Sequence, residues 1–210
     1  MEYRSFVSLN IAIIGSNRLS EALTLAYTDA GHNVYAATTE GDRSPINPHF
    51  ELLNNVRICD IETAAASADF VVVCTRANDV REVAYWLGDV RRKVIIDLTA
   101  NVPEGLKDNM NTVNAIKSIT GATHIVKGLS LYNHEDLFSP LFGGNKVQLV
   151  MVGDSQKAKE MLKIISVELG VTRFHDFGGA DNFTLFDELC KCCRSMMKIS
   201  YNKVELAIHK

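Results

Sequence analysis

The segment Gly15-Ser16-Asn17-Arg18-Leu19-Ser20 lies between a short apolar run and a stretch of helical period, the place and spacing of a turn that holds a pyrophosphate. In such a turn the first glycine permits the strand-to-helix bend, the second lets a phosphate approach the backbone, and the third lets the helix pack close to the sheet. Gly15 keeps the first place, while Asn17 and Ser20 stand at the second and third. Asparagine tolerates positive φ best after glycine, so the bend can survive, a reading that rests in part on a left-handed Asn17. Ser20 is small enough for close packing. Arg18 places a cation beside the N–H groups of a helix N-terminus, an arrangement suited to an anion. Replacing Asn17 by Gly is expected to preserve or tighten nucleotide binding. The alternative is a helix start of the same kind without a working site.

Three further clusters fall at the ends of apolar runs. "YAATTEGDR" supplies Thr38, Thr39 and Arg43, which suit the 2′-phosphate of NADP, and Glu40, which argues for NAD. Asp97 closes "VIID" and is placed to accept backbone N–H groups of the following loop, with Thr99 and Asn101 facing the ligand. Lys127 is the best candidate for a functional charge at a strand end, and Ser130 for a hydrogen bond to a carboxamide. The alternative for Lys127 is an exposed strand-end lysine. No dedicated general acid stands out, and hydride transfer between a nicotinamide and a flavin-like ring asks for alignment and exclusion of water more than for a proton donor.

The elements that must position these residues follow from the pattern. Apolar runs alternate with helix-period stretches, which predicts an α/β fold, a Rossmann-type doubly wound and mainly parallel sheet. Strands are expected at Asn10–Ile14, Asn33–Ala37, Val56–Ile58, Phe70–Cys74, Val94–Asp97, His124–Val126, Lys146–Val152 and Val171–Phe174. Helices are expected at Leu19–Ala30, Ile61–Ala66, Asp79–Leu87, Thr112–Ile119, Ser155–Leu169 and from Asn182 onward. Residues 1–120 read as dinucleotide-binding βα units, and residues 121–210 as further strands and C-terminal helices on the same domain. The last helix, with Phe186, Leu189, Cys193, Met197 and Val204 on one stripe, either packs on its own domain or pairs with a second copy.

The 210 residues are 47% hydrophobic with a net charge of −3 from interleaved signs, so no basic face points to nucleic acid or an anionic membrane. No apolar run approaches a membrane span and no leader pattern opens the chain, which places it in the cytoplasm as an expectation. The five cysteines do not form a disulfide framework. Cys190 and Cys193 share a helical face that Cys192 does not, so no metal site is expected there, with Cys193 in the core and Cys192 at the surface. His124, His134 and His175 lack ligand spacing.

The blocks "IAIIGS", "AGHNVY", "ADFVVVCTRANDVREVA", "KVIIDLTANV", "HIVKGLS" and "VQLVMVGDSQKAKEMLKIISVELG", followed by "DFGGADNFTLFDEL", carry a resemblance from Asn10 to Leu189. The sequence resembles the deazaflavin (coenzyme F-420)-dependent NADP oxidoreductases, a group that also holds the cytosolic reductase domain of the six-transmembrane epithelial antigen metalloreductases. The resemblance implies a Rossmann-type NADP domain that exchanges a hydride between NADPH and a flavin or deazaflavin. It implies a pyrophosphate loop at Gly15 to Leu19 and a 2′-phosphate pocket at Thr38 and Thr39. It places Cys74, Thr75 and Arg76 at the fourth strand's end and Thr99, Ala100 and Asn101 where the family shows Thr/Ser-Asn-Pro. Lys127-Gly128-Leu129-Ser130 falls on its Lys-Ala-Phe-Asn motif. Asn17, Ser20, Glu40 and Leu129-Ser130 depart from the pattern and bear on cofactor preference and hydride acceptor.

The expected function is therefore an NADP-dependent oxidoreductase, NAD being possible, acting on a small acceptor, with a flavin or deazaflavin as second redox partner. A hydroxyacid dehydrogenase of related type needs a helical substrate domain for which the chain is too short. The reading from another class is a nucleotide-binding sensor without turnover.

Overall fold

The computed structural model describes residues 7–39, 45–99, 111–130, 141–142, 145–146 and 148–200. Apolar β-branched runs form the strands β1 (Asn10–Ile14), β2 (Asn33–Ala37), β3 (Val56–Ile58), β4 (Phe70–Val73), β5 (Val94–Asp97), β6 (His124–Ser130), β9 (Gln148–Val152) and β10 (Arg173–Asp176) of one eight-stranded sheet. Its order is β10-β9-β6-β5-β4-β1-β2-β3. Two short strands, β7 (Leu141–Phe142) and β8 (Asn145–Lys146), pair with each other. The helices are α1 (Arg18–Asp29), α2 (Ile61–Ser67), α3 (Val80–Trp86), α4 (Thr112–Thr120), α5 (Gln156–Glu168) and α6 (Phe183–Ser200).

Strands β3 to β6 run parallel, each joined through a helix, and the chain changes direction across the sheet between β1 and its neighbours β2 and β4. That reversal of strand order opens a crevice at the carboxyl edge, the usual ligand position of an open parallel sheet. Both faces are covered. Ala12, Ile14, Val71, Val73 and Ile95 point to one core with residues of α2, α3, α4 and α6, while Ile11, Ile13, Phe70, Val72 and Ile96 point to a second with residues of α1 and α5. This two-sided burial is why the strands read as continuous apolar runs.

Polar residues fix the helix starts. Asp60 caps α2 through Thr63 N (2.7 Å), Asn111 caps α4 through Asn114 N (2.7 Å), and Ser155 caps α5 through Ala158 N (3.2 Å). Each accepts from an N–H that has no partner within its helix.

The structure corrects the sequence reading at three strands. β6 runs on to Ser130, because β9 pairs antiparallel to it from Lys127↔Val152 to Ser130↔Leu149. The lysine and glycine that interrupt its apolar pattern are held by this ladder. β9 begins at Gln148 rather than Lys146, which belongs to the β7–β8 pair. β10 starts two residues late, since Val171 N still bonds to Ser166 O (3.0 Å) at the end of α5. Before α3, a 3-10 turn takes up Ala77–Asp79.

Candidate functional site

Four neighbouring strands end at the crevice in register. Ile14 pairs with Ala37 and with Val73, and Val73 pairs with Asp97. The ladder extends one residue further through Gly15 N to Ala37 O (2.8 Å), Cys74 N to Ile14 O (2.8 Å) and Leu98 N to Val73 O (2.9 Å). The next residue along each strand carries a hydroxyl: Ser16 after β1, Thr39 after β2, Thr75 after β4 and Thr99 after β5. All four are buried, and their side-chain oxygens have no hydrogen-bond partner among the described residues. The other hydroxyl of this kind, Thr28, lies near the far end of α1. An unmet buried hydroxyl costs about 1–3 kcal/mol, so a row of four marks an edge built to be met by something else.

The turn at the centre of this edge is tighter than its composition suggests. Gly15 has φ +143°, and a Cβ there would lie 2.7 Å from Cys74 O, so only glycine fits. Asn17 has φ −92° and ψ 173°, an extended residue and not a left-handed one, which corrects the conformation expected from its place in the turn. Its role is that of a helix cap. Oδ1 accepts from Leu19 N (2.9 Å) and Ser20 N (3.1 Å), and Nδ2 donates to Cys74 O. Two of the N–H groups that a phosphate would meet at the start of α1 are thus met by the protein's own side chain. Ser20 is buried as its place requires, its hydroxyl donating to Asn17 O (2.7 Å).

Among the other candidates, Arg18 is exposed at the first residue of α1, and Leu19 lines a small apolar cavity of about 30 Å³ with Leu23, Leu98 and residues of α5. Cys74 is fully buried, and desolvation, with the Asp97 carboxylate second, pushes its thiol far above the ordinary range, so it is inert packing beneath the turn. Arg76 is turned to Asp79 (Nε to Oδ2, 2.8 Å). Thr38 is half-buried beside Thr39. Glu40, Arg43, Ala100, Asn101 and His134 lie outside the described residues, as do the side chains of Ser130, Cys193 and Met197 and all of Val204.

Lys127 is neither at the crevice surface nor exposed. It is 2% exposed, with Nζ donating to Thr112 Oγ1 (2.5 Å) and lying 3.3 Å from Asp97 Oδ2 and 3.5 Å from Asp187 Oδ1. The Thr112 hydroxyl donates in turn to Asp97 Oδ2. Asp97 Oδ1 accepts from Thr99 N (2.9 Å), the orienting role expected of it. One cation between two carboxylates offsets their burial and ties β5, β6, α4 and α6 together beneath the Thr99 loop. Sequence reasoning missed Thr112 and Asp187, whose only signal is their position at the starts of two helices.

A cleft of about 370 Å³ opens beyond β2, lined by Thr38, Thr39, Asp60, Ile61, Glu62, Glu82 and Trp86. The hydrogen bonds from Thr63 N and Thr63 Oγ1 hold the Asp60 carboxyl below the usual carboxylate range. Cys192 is exposed and Cys190 buried, as their helical spacing requires. The described residues contain no group of histidines, cysteines and carboxylates able to hold a metal. His124 and His175 bond to Ser155 and Gln148. No helix among the described residues is long and apolar enough to cross a membrane.

No curated protein matches the sequence. The structure is similar to that of an Arthrobacter sp. fb24 protein described as a candidate F420-dependent NADP-reductase, with 17% identity, a TM-score of 0.77, and coverage of 96% of this chain and 100% of that one. It is also similar to the imine reductase from Myxococcus stipitatus in complex with NADP+ (14% identity, TM-score 0.65, 91% of this chain and 62% of that one). The imine reductase from Pseudomonas sp. has 9% identity and a TM-score of 0.67, over 93% of this chain and 64% of that one. The chain thus spans less than two thirds of either imine reductase, and at these identities the likeness is one of fold. Residues 10–101 match the family described as NADP oxidoreductase, coenzyme F420-dependent, so the resemblance carried by the turn and the strand ends is borne out over the strands β1 to β5.

Proposed function

We propose that the chain is an NAD(P)-dependent oxidoreductase that lays a nicotinamide dinucleotide across the carboxyl edge of β2, β1, β4 and β5 and passes a hydride to a small electron acceptor. The observation that carries this reading is the row of buried hydroxyls at Ser16, Thr39, Thr75 and Thr99, set two residues beyond four adjacent strand ends. A dinucleotide offers phosphate oxygens, ribose hydroxyls and a carboxamide along its length, an alternation of acceptors and donors that hydroxyls match in either role. The family match over residues 10–101 supports the same reading.

When bound, the nicotinamide supplies the hydride. The chain's own residues bind, orient and exclude water. Gly15 and Ser16 bring the backbone close to the ligand, Asp97 holds the Thr99 loop by accepting from Thr99 N, and the buried Lys127 holds the Asp97 carboxyl in place. Arg18 at the exposed start of α1, and Arg43 and Asn101 from the sequence reading, complete the proposed site. The acceptor is a flavin-type or other small electron acceptor docked at the same edge.

A second reading, a nucleotide-binding module without turnover, is favoured by the Asn17 cap, which occupies N–H groups a tight phosphate site uses. Calorimetric titration with NADH and NADPH, followed by oxidation of the bound reduced cofactor with added flavin, separates the two. Binding with acceptor-dependent oxidation supports the enzyme, binding without it the module, and no binding refutes both.

A further inference from the structure

We infer that Asp97 is a clasp that positions the nicotinamide half of the dinucleotide, with Lys127 and Thr112 acting through it as positioning residues. The inference rests on the dinucleotide reading above and goes beyond it by dividing the ligand: the half over β5 depends on this clasp and the half over β2 does not.

The clasp is built on a single carboxylate. The ladder between β4 and β5 ends at Leu98 N, which donates to Val73 O (2.9 Å), and the next N–H, that of Thr99, donates to Asp97 Oδ1 (2.9 Å). Asp97 Oδ2 accepts from the hydroxyl of Thr112, the first residue of α4. Thr99 opens the connection from β5 to α4 and Thr112 closes it, so one side chain holds the chain on both sides of that connection. A carboxylate can do this because both of its oxygens accept.

Its aim is fixed from the neighbouring strand. Asp97 lies opposite Lys127 in the β5–β6 register, two residues beyond the pair Ile95 and Ile125, so the two side chains continue that apolar row beneath α4 and α6. Lys127 Nζ reaches both partners of the second bond, Thr112 Oγ1 (2.5 Å) and Asp97 Oδ2 (3.3 Å), and lies 3.5 Å from Asp187 Oδ1 of α6. Stability alone does not call for such a set, since apolar side chains of similar volume serve a core as well as a buried ion pair. What the set supplies is one orientation of the Asp97 carboxyl and, through it, one position for Thr99. The group so placed is Thr99 Oγ1, buried and without a partner among the described residues.

The place of the clasp in the sheet decides which part of the ligand feels it. With a pyrophosphate at the turn after β1, the adenosine half runs to β2 and the nicotinamide half to β4 and β5. Three strand spacings separate β5 from β2, about 14 Å across the sheet. The clasp residues lie on β5, β6, α4 and α6, none of them on β1 or β2.

Three variants test the clasp. Asp97→Asn keeps the shape but offers one acceptor oxygen where the carboxylate offers two, so one end of the connection is released, while Lys127 keeps Asp187. Thr112→Val removes the hydroxyl alone, and Thr112→Ser retains it. The full chain and each variant are titrated by calorimetry with NADH, NADPH and ADP, the last of which carries only the adenosine and pyrophosphate, and are melted without ligand to confirm folding. Asp97→Asn is expected to weaken the dinucleotides about tenfold and Thr112→Val about threefold, with ADP changed by less than about twofold and Thr112→Ser close to wild type. If Asp97→Asn does not fold, the Thr112 pair decides. An equal loss for ADP and the dinucleotides, no loss for either in folded variants, or a Thr112→Ser as weak as Thr112→Val overturns the inference and leaves the dinucleotide reading standing. Binding of neither dinucleotide by the wild type removes both.

Discussion

Replacing Asn17 by Gly tests whether the turn between β1 and α1 is a ligand site held partly closed by its own cap. The substitution removes two bonds to Leu19 N and Ser20 N and one from the side-chain amide to Cys74 O. Glycine at an N-cap costs a few tenths of a kcal/mol, because water reaches the freed N–H groups. The lost amide bond adds about 1 kcal/mol. For a chain of this size the sum lowers Tm by roughly 3–5 °C. Against this, two N–H groups at the start of α1 become available to a phosphate, and a hydrogen bond to a charged acceptor is worth about 1.5–3 kcal/mol. Even one such bond tightens binding about tenfold. Calorimetry with the preferred dinucleotide measures the affinity and a thermal melt without ligand measures the stability. A tenfold or greater loss of affinity with only the small expected drop in Tm would refute the account, because Asn17 would then contact the nucleotide itself.

Four other outcomes follow from the geometry. Gly15→Ala forces a Cβ to 2.7 Å from Cys74 O at φ +143°, and should cost about 3 kcal/mol, read as a fall in the urea midpoint, together with loss of nucleotide binding. Lys127→Met leaves Asp97 and Asp187 facing each other without their cation and should cost about 3–5 kcal/mol, of which adding Asp97→Asn restores part in a double-mutant cycle. Desolvation raises the Asp176 pKa, but the Lys159 ammonium and Gly178 N–H outweigh it and the carboxyl is held below its ordinary value. A depressed folded pKa contributes stability above the unfolded value of about 3.9 that is lost as pH falls through the folded one, so Lys159→Met should flatten the acid limb of stability below about pH 4. Finally, a thiol reagent at mildly alkaline pH should modify exposed Cys192 in the folded protein and spare buried Cys74 until denaturant is added.

The strands β1 to β5 were legible in the sequence because burial on both faces writes them as unbroken apolar runs, and α2 and α5 begin at residues that signal caps. β6 was cut short because Lys127 and Gly128 interrupt such a run, and what justifies them is distant: Asp187 on α6 faces the lysine, and Leu98 and Leu162 approach within 3.0 Å of a Cβ at position 128. The site was half legible. Strand-end hydroxyls can be read from the order of residues, but their common register and unmet bonds belong to the sheet. Asn17 carried two competing signals, the place of a turn glycine and the side chain of an N-cap, and the hydrogen bonds decided for the second. The cleft lined by Asp60, Glu62 and Glu82 appears only when α2 and α3 are set side by side.

The two ends of the sheet have a consequence for how the molecule behaves at high concentration. Its outermost strands are β3, three residues long and carrying Arg57, and β10, four residues long and bounded by Arg173 and Asp176. Short strands with charged side chains make poor templates for an incoming strand from a neighbour. An eight-stranded sheet with so apolar a centre is thereby capped against growth by addition, and strand-by-strand aggregation is disfavoured at both of its borders.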